Sequence, residues 1–472
     1  MFIGRKEEIR KLTDAYNSEK SEFVAVYGRR RIGKTFLVRE TFKNDFTFYY
    51  TGRYKVPSKQ QISSFTRAMI DYGLDTRRKP TNWMDVFSGL KILIENSGEK
   101  KKVIFLDELP WMDSPGSDFL SSLEYFWNSW ASGRRDVLLI ICGSASSWII
   151  NKIFKNKGGL HNRVTTKIPL KPFSLAEVES LVKSMNLGYS RNNILEGYMA
   201  IGGVPLYWSK MDKRKSLAQN INDLFFQENG EFRFEYNELY DSLFNHPDKY
   251  KAIIEAIATK KKGLNREEII KTAKLPNNGR ISAMLEDLIE CGFIRKYCDL
   301  GKKIKDAKYQ LIDFFTQFYF SFQKNSYFND DNYWLNLQGK PEYNTWCGLA
   351  FEKICMVHTR QIKQVLGISG ISANIFSWDN KETSDERKVQ IDLVFERSDN
   401  IYSIIEVKYA PSGYKITGAE NERILLRKQI FSEHVKSNKG VQTVLITSNG
   451  IINPNLVHGI NCFIESNDLF RE

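Results

Sequence analysis

Eight consecutive residues near the N-terminus have the spacing of a loop that binds phosphate. Residues 28–35 read GRRRIGKT, which matches G-x-x-x-x-G-K-[S/T], and they follow the apolar run EFVAVY. In such a loop the glycines let the backbone wrap around phosphates, and the backbone N–H groups and the next helix N-terminus supply positive potential. The pattern predicts that Lys34 reaches the β- and γ-phosphates of ATP and that Thr35 ligates Mg²⁺. The predicted ATP-binding residues are Gly28, Arg29, Arg30, Arg31, Ile32, Gly33, Lys34 and Thr35.

A pair of carboxylates follows a second apolar run. Residues 101–108 read KKVIFLDE, a strand pattern that ends in Asp107 and Glu108. We expect Asp107 to bind Mg²⁺ and Glu108 to act as the base that polarises the attacking water. The alternative interpretation of residues 28–35 is a glycine-rich turn without a ligand. A carboxylate pair at this distance along the chain argues against that alternative.

Two further polar residues come next to predicted strands. Ser144 ends the apolar run VLLIICGS, where its side chain could sense the γ-phosphate or could simply cap the helix that begins near Trp148. Arg163, in GLHNRV, precedes the next strand. An arginine there could reach a phosphate in the same chain or across a subunit interface. A solvated surface arginine is the alternative.

A second group of candidate catalytic residues lies in the last third of the chain. Glu352 falls in a helical pattern, Asp392 in the strand pattern QIDLVF, and Glu406 and Lys408 in the strand pattern IIEVK. Alternate residues of a strand share a face, so Lys408 is expected beside Glu406. Asp392 and Glu406 would hold Mg²⁺ or Mn²⁺, Lys408 would orient or deprotonate water, and Glu352 would assist. The alternative is that these are ordinary polar residues at strand ends.

Five short apolar runs indicate the elements that position the first group. They do not alternate with polar residues, which is typical of strands buried on both faces of a parallel sheet. They occupy residues 22–27, 46–50, 103–106, 137–142 and 165–170, and a helical pattern follows residue 172. The sequence therefore predicts an α/β chain with domains at 1–170 (ATPase core), 171–245 (helical region), 246–330 (winged helix and connector) and 331–472 (α/β C-terminal domain).

The middle of the chain predicts a winged helix-turn-helix. Between residues 248 and 312 the order is helix, helix, helix, strand, loop, strand, and residues 248–308 hold 15 basic and 9 acidic residues. Lys302, Lys303 and Lys305 in the loop, and Arg280 near the third helix, would suit contacts with DNA phosphates. The alternative is a packing module with a solvated wing.

The overall composition narrows the class of protein. The 472 residues carry a net charge of +13, which favours a polyanionic partner, yet residues 330–472 hold 16 basic and 18 acidic residues. DNA affinity would therefore come from the part before residue 330. The N-terminal MFIGRKEEIRKL has no apolar signal region, and residues 137–150 are too short to span a bilayer. We expect a cytoplasmic protein that does not enter the membrane.

Several motifs together resemble a known group of enzymes. FIGRKEEIRKL, GRRRIGKT, FLDELPWM, IICGSASSW, LHNR and GGVPLYW, spread over residues 2–208, are similar to motifs of the archaeal-type ATPases of the AAA+/STAND group. The resemblance implies that Ser144 is sensor 1, that Arg163 is the finger-like arginine, and that residues 171–245 form a helical lid that includes residues 202–205. It also implies contact with the nucleotide base by Phe2, Ile3, Gly4 and Arg5. LHNR departs from the usual Leu-Tyr-Gly-Arg.

The C-terminal part resembles the PD-(D/E)XK nuclease fold, with D-(x)13-E-x-K spacing. The resemblance implies a restriction-endonuclease-like domain in which Gln429 supports the site. The combined expectation is a P-loop ATPase that acts on nucleic acid and is coupled to a metal-dependent, nuclease-like domain. The alternative is a slow nucleotide-dependent regulatory switch that works by homo-oligomer assembly, with the C-terminal domain as a scaffold.

Overall fold

A computed structural model describes residues 3–75, 79–156, 158–300, 306–324, 330–380, 389–435, 438–452 and 458–472. The chain divides into two compact units. The first comprises Met1–Lys171 with Glu290–Gly292, and the second comprises Pro172–Ile289 with Phe293–Glu472. The finer division into four domains stays a prediction.

The first unit is built on a parallel five-stranded sheet in the order β2-β3-β4-β1-β5. Its strands are β1 (Glu22–Tyr27), β2 (Phe48–Thr51), β3 (Lys102–Asp107), β4 (Val137–Gly143) and β5 (Thr166–Pro169). Its helices are α1 (Lys6–Asn17), α2 (Lys34–Thr41), α3 (Ser58–Asp71), α4 (Trp83–Glu95), α5 (Phe119–Ser129) and α6 (Ser146–Ile149). Each strand begins and ends within two residues of its predicted run, so the predicted parallel sheet is confirmed.

Both faces of this sheet are buried. In β1, Phe23 and Ala25 belong to one apolar core cluster, whereas Val24 and Val26 belong to another. Successive side chains of a strand point to opposite faces, so these two clusters lie on opposite sides of the sheet. A continuous apolar run is what such double burial requires.

The polar residues of the first group lie at one edge of the sheet. Gly28 directly follows β1, Asp107 ends β3, and Ser144 follows β4. In the sheet β4 lies between β3 and β1. Because the carboxyl ends of parallel strands meet at the same edge, the fold brings the three motifs together.

The second unit begins with five helices. They are α7 (Leu175–Ser184), α8 (Arg191–Ile201), α9 (Pro205–Ser209), α10 (Leu217–Phe225) and α11 (Glu235–Leu243). Ser174, Ser190 and Ser216 start α7, α8 and α10 with reciprocal capping boxes. The turn before α9 contains Gly203, where an added Cβ would lie 1.8 Å from the carbonyl oxygen of Phe173. Only glycine allows that approach.

Three helices and a small antiparallel sheet follow. They are α12 (Pro247–Ala258), β6 (Leu264–Asn265), α13 (Arg266–Ala273), α14 (Gly279–Glu290), β7 (Ile294–Tyr297) and β8 (Lys308–Leu311), with the strands in the order β6-β8-β7. Asn265 caps α13 through a hydrogen bond from the backbone N–H of Glu268, and the Glu268 side chain accepts one from the backbone N–H of Asn265. Lys302, Lys303 and Lys305, predicted to contact DNA, fall outside the described residues.

The C-terminal part is a mixed sheet with helices. Its helices are α15 (Phe314–Phe318), α16 (Tyr333–Leu337), α17 (Pro341–Val357), α18 (Thr359–Val365) and α19 (Gly418–Val435). Its strands are β9 (Ala373–Asp379), β10 (Gln390–Arg397), β11 (Ile401–Lys408), β12 (Gly440–Thr447) and β13 (Cys462–Glu465), in the order β13-β12-β11-β10-β9. β9, β10 and β11 pair antiparallel, and β11, β12 and β13 pair parallel. None of the described helices has the length and apolar character needed to cross a bilayer.

A buried histidine connects two helical segments of the second unit. His358 lies between α17 and α18 and is 2% exposed. Its Nε2 accepts a hydrogen bond from the backbone N–H of Leu175 at 3.2 Å, and its Nδ1 lies 2.9 Å from the carbonyl oxygen of Ile354. A neutral ring with the proton on Nδ1 satisfies both contacts. Burial lowers the pKa of His358 to about 4, although the bond to Ile354 opposes that shift.

We therefore expect the second unit to lose stability in acid. The folded form keeps His358 neutral, whereas the unfolded chain takes up a proton below pH ~6.5. This contribution to stability is full above pH ~6.5, falls as the pH drops towards 4, and amounts to about 3 kcal/mol. Urea unfolding of wild type and His358→Gln at pH 7 and 4.5 measures it. The variant should show a flatter pH dependence, and the exposed His246→Asn should not. Equal pH dependence in His358→Gln and wild type would contradict the assignment.

Candidate functional site

The loop of residues 28–35 connects β1 to α2 and has the backbone that its glycines permit. Gly33 is the N-cap of α2 with φ of 86°, and Arg31 also has a positive φ of 73°. A Cβ at Gly28 would lie 2.3 Å from the carbonyl oxygen of Leu170. The first glycine is therefore required by the chain that follows β5, and the second by the left-handed turn that starts α2.

The last two residues of the loop point toward polar partners. The Lys34 side chain is 5% exposed, and its Nζ donates a hydrogen bond to the carbonyl oxygen of Arg29 at 2.8 Å. Thr35 Oγ1 donates to Asp107 Oδ2 at 2.8 Å. Burial, together with the neighbouring Glu108, raises the pKa of Asp107. The hydroxyl and carboxylate oxygens of Thr35 and Asp107 are the kind of donor that Mg²⁺ prefers.

The second carboxylate of the pair is held by the residue that follows β4. Glu108 Oε1 accepts a hydrogen bond from Ser144 Oγ at 2.5 Å, and Glu108 Oε2 accepts one from the backbone N–H of Ser144 at 3.0 Å. Glu108 has a left-handed backbone with φ of 47°. The structure thus joins two residues that the sequence predicted separately. Their direct contact with each other was not predicted.

The N-terminal residues predicted to contact the nucleotide base support the loop. Arg5 is 5% exposed, and its Nη2 donates to the carbonyl oxygens of Ile32 at 3.3 Å and Lys171 at 2.6 Å. Arg5 therefore links the phosphate loop to the chain after β5. Ile3 and Gly4 are half-buried, and Phe2 falls outside the described residues. Contact of these residues with a base stays a prediction.

The remaining predicted residues of the first unit differ in exposure. Arg29 and Ile32 are buried, whereas Arg30 and Arg31 are half-buried. Arg163 is exposed, and its backbone N–H donates to Leu160. The structure therefore brings Lys34, Thr35, Asp107, Glu108 and Ser144 into one connected group, and its contacts do not include the Arg163 side chain.

A second group of carboxylates forms in the C-terminal part of the second unit. Lys261, in the turn between α12 and β6, places its Nζ 2.6 Å from Glu352 Oε2 and 3.9 Å from Asp392 Oδ1. The side chains of Glu352 and Asp392 are 14% and 11% exposed. Asp392 Oδ2 also accepts a hydrogen bond from the backbone N–H of Val407 at 3.3 Å, which ties β10 to β11.

The neighbouring strand adds a third carboxylate. Glu406 Oε1 lies 2.7 Å from Lys408 Nζ and 2.9 Å from Arg427 Nη1, so the predicted pairing of Glu406 with Lys408 is present. Gln429, expected to support this site, is exposed on α19 and donates to Glu433 at 2.9 Å. Arg427, two residues earlier on α19, contacts the site instead. Sequence reasoning assigned no role to Arg427 or to Lys261, although the basic run at residues 260–262 was a usable signal.

The electrostatics of this group reflect burial and mutual repulsion. Burial and the nearby Asp392 raise the pKa of Glu352 to about 7, against the opposing effect of Lys261. The same two causes raise the pKa of Glu406, opposed by Lys408 and Arg427. Buried carboxylates that repel each other gain from a shared cation. The arrangement therefore favours cation binding.

The oxygen donors of this group determine whether it could hold a metal ion. Within the described ranges, no three His, Cys, Asp or Glu side chains form a group that could hold a metal ion. Glu352 and Asp392 nevertheless converge on one cation, the Lys261 ammonium. Oxygen donors that share one cation have the chemistry that a hard divalent ion requires.

Comparison with known proteins agrees with the first group of motifs. Residues 2–211 match the family described as an ATPase domain predominantly from Archaea. This match confirms the predicted archaeal-type ATPase domain over those residues and supports nucleotide binding by this part of the chain.

Two proteins of Methanocaldococcus jannaschii are similar in sequence. An uncharacterized protein is 26% identical over 368 residues, which cover 75% of this chain and 76% of that protein. An uncharacterized ATP-binding protein is 43% identical over 44 residues, which cover 9% of this chain and 75% of that protein.

Two solved structures are also similar. The Walker-type ATPase of Pyrococcus abyssi has 20% sequence identity and a TM-score of 0.48, with 67% of this chain and 95% of that chain covered. The ORC2 protein of Aeropyrum pernix has 14% identity and a TM-score of 0.41, with 65% and 89% covered.

Proposed function

We propose that the chain binds ATP at residues 28–35 and hydrolyses it. The observation that carries the proposal is the 2.8 Å hydrogen bond between Thr35 and Asp107, because it joins the end of the loop to the carboxylate at the end of β3. Lys34 would exchange its bond with the carbonyl oxygen of Arg29 for the β- and γ-phosphates. Thr35 and Asp107 would hold Mg²⁺, which, when bound, offsets the negative charge on the phosphates.

The test is phosphate release from ATP by the full chain with Mg²⁺, together with the thermal shift caused by ATP. Release that requires Mg²⁺ and a shift to higher melting temperature are the expected results. Absence of both would contradict the proposal. Arg163 is proposed to contact ATP, in the same chain or in a neighbouring copy, and its exposure leaves both routes accessible.

In this proposal Ser144 positions the catalytic base. Both oxygens of Glu108 are bonded to Ser144, which fixes the carboxylate relative to the end of β4. A base that is not fixed spends less time aligned with the attacking water. We infer that Ser144 acts through Glu108 as a positioning residue, in addition to the γ-phosphate sensing that the family resemblance implies.

Replacement of Ser144 by alanine is therefore expected to lower kcat for ATP by roughly 10-fold, with little change in KM. Ser144→Thr, which retains the hydroxyl, should recover most of the rate. Steady-state kinetics of the three proteins distinguish positioning from folding, since a misfolded site would also raise KM. An unchanged kcat in Ser144→Ala would exclude this role.

We also propose that the segment from α12 to β8 is a winged helix that contacts DNA. Its three helices and three-stranded antiparallel sheet, and its excess of basic residues, support this proposal. The decisive measurement is the salt dependence of DNA binding, compared between wild type and a variant with Lys302, Lys303 and Lys305 all changed to alanine. An unchanged salt dependence would make the segment a packing module.

For the C-terminal part we propose a metal-dependent, nuclease-like site. The convergence of Asp392 and Glu352, and the presence of Lys408 beside Glu406, support it. Asp392 and Glu406 would hold Mg²⁺ or Mn²⁺, which, when bound, lowers the pKa of a bound water and polarises a phosphodiester. Lys408 would orient that water, and Glu352 would accept a proton from it or assist in holding the ion.

One observation favours the alternative, a regulatory ATPase with a non-cleaving C-terminal scaffold. Each carboxylate of the second group already has a basic partner from the chain itself, namely Lys261, Lys408 or Arg427. Such ion pairs would also serve to stabilise a scaffold. Cleavage of DNA by the wild-type protein separates the two functions.

A further inference from the structure

Three consecutive lysines follow α12, and each forms an ion pair. Lys260 pairs with Glu268, in the adjacent helix α13, at 3.4 Å. Lys261 and Lys262 instead extend to the C-terminal part, where Lys261 pairs with Glu352 on α17 and Lys262 pairs with Asp379 on β9 at 2.5 Å. Two lysines of one turn therefore connect α12 and β6 to the mixed sheet of the same unit.

The two contacts differ in what they neutralise. Asp379 is an exposed carboxylate at a strand end, 45% exposed. Lys261, by contrast, faces two carboxylates, Glu352 and Asp392, that are each less than 15% exposed. Removal of Lys261 would leave these two buried charges to repel each other. Its ammonium therefore acts as their counter-ion.

A divalent ion held by Asp392, with Glu352 assisting, would need oxygens that now face Lys261. Glu352 Oε2 and Asp392 Oδ1 both face Lys261 Nζ, and an ion bound between them would lie where the ammonium now lies. Two cations cannot share that space, because they repel each other and compete for the same lone pairs. Metal and lysine are thus mutually exclusive occupants.

We propose that Lys261 is a resident counter-ion that a divalent cation must displace from the C-terminal carboxylates. The inference rests on the proposed nuclease-like function. Lys261 is 38% exposed and has a flexible stem, so it can swing into solvent without disturbing the core. Nucleic-acid phosphates near the turn would offer the released ammonium a new partner and would thereby favour entry of the metal. The ion pairs of Lys261 with Glu352 and Asp392 therefore inhibit the site until the metal and the nucleic acid have both bound.

The test is calorimetric titration of the full chain with Mn²⁺, without nucleic acid. Lys261→Met keeps the length of the apolar stem and removes the charge, and it should bind Mn²⁺ at least about 10-fold more tightly than wild type, a difference of about 1.4 kcal/mol. Lys261→Arg keeps the charge and should remain close to wild type. The matched control is Lys262→Met, which removes the neighbouring ion pair and should not change the affinity.

Lys261→Gln provides a second neutral variant in case Lys261→Met folds poorly, and it should show the same gain. Equal Mn²⁺ affinity in wild type and both neutral variants would overturn the inference. If, in that case, Asp392→Asn still abolishes binding, the proposed metal site survives without the counter-ion. If no variant binds Mn²⁺, the metal site itself fails, and the inference fails with it.

Discussion

Replacement of Lys34 by alanine is expected to reduce ATP hydrolysis by roughly 100-fold or more. Lys34 is a buried cation of the loop, and its ammonium is already held next to the loop backbone by the carbonyl oxygen of Arg29. Loss of a charge that is fixed near the developing charge of the transition state costs more than loss of a mobile surface charge. ATP affinity should fall as well. The measurements are phosphate release and nucleotide binding by the full chain.

Glu108→Gln should separate binding from chemistry. Glutamine preserves the shape and can still bond to Ser144, but it cannot accept a proton from water. This variant should therefore retain bound ATP, while its rate of ATP hydrolysis falls by roughly 100-fold, as expected for Lys34→Ala. Lys59→Ala, at an exposed position of α3, is the matched control and should leave both properties unchanged. Equal ATPase rates in Glu108→Gln and wild type would remove Glu108 from its assigned role.

The second large effect is expected at Asp392. Asp392→Asn should abolish most of the thermal stabilisation that Mg²⁺ or Mn²⁺ gives to the full chain, because Asp392 is expected to supply a charged ligand. A ligand at ten times its Kd stabilises the folded state by about 1.4 kcal/mol, which is readily measured as a shift in melting temperature. Any DNA cleavage should also disappear, whereas ATP hydrolysis should survive.

Asp379→Asn is the control for this experiment. Asp379 ends the neighbouring strand β9 and pairs with Lys262, so it tests the loss of a nearby acidic charge without loss of a proposed ligand. Neutralising Asp392 also relieves repulsion with Glu352, so the variant should fold without metal. Metal stabilisation that is equal in Asp392→Asn and wild type would refute the nuclease-like site and would favour the scaffold.

The parallel sheet and the phosphate loop could be predicted because their signals are local. In the run EFVAVY every residue after Glu22 is apolar or aromatic, and the burial of its four central residues on both faces of β1 follows directly. The loop pattern likewise fixes which residues lie between strand and helix. The hydrogen bond between Glu108 and Ser144 could not be predicted from the sequence. It depends on β3 and β4 being neighbours in the sheet and on the side-chain rotamer of Glu108.

The C-terminal site shows that a prediction displaced by two residues along a helix names a side chain on the wrong face. Gln429 and Arg427 are two residues apart on α19, which turns the side chains by about 200° relative to each other. Only Arg427 faces Glu406. On β11, the same separation of two residues returns Lys408 to the face of Glu406, as predicted. Lys261 was missed because it is 91 positions before Glu352, and only tertiary packing brings them together.

The strand order of the first unit has a consequence for synthesis of the chain. β1 is an inner strand, yet both of its partners come much later, since β4 begins about 110 residues after β1 ends and β5 follows β4. At ordinary rates of translation, roughly 5 to 20 s pass between the synthesis of β1 and the synthesis of β4. During that interval the five apolar or aromatic residues that follow Glu22 in β1, with no proline among them, are exposed to other nascent chains.

Charged residues on both sides protect such a segment against aggregation. Glu19 and Lys20 precede β1, and Arg29, Arg30 and Arg31 follow it closely. The like charges of the three arginines keep apolar segments of separate chains apart. The arginines of the phosphate loop would therefore protect the newly synthesised β1 from aggregation before the nucleotide site has folded.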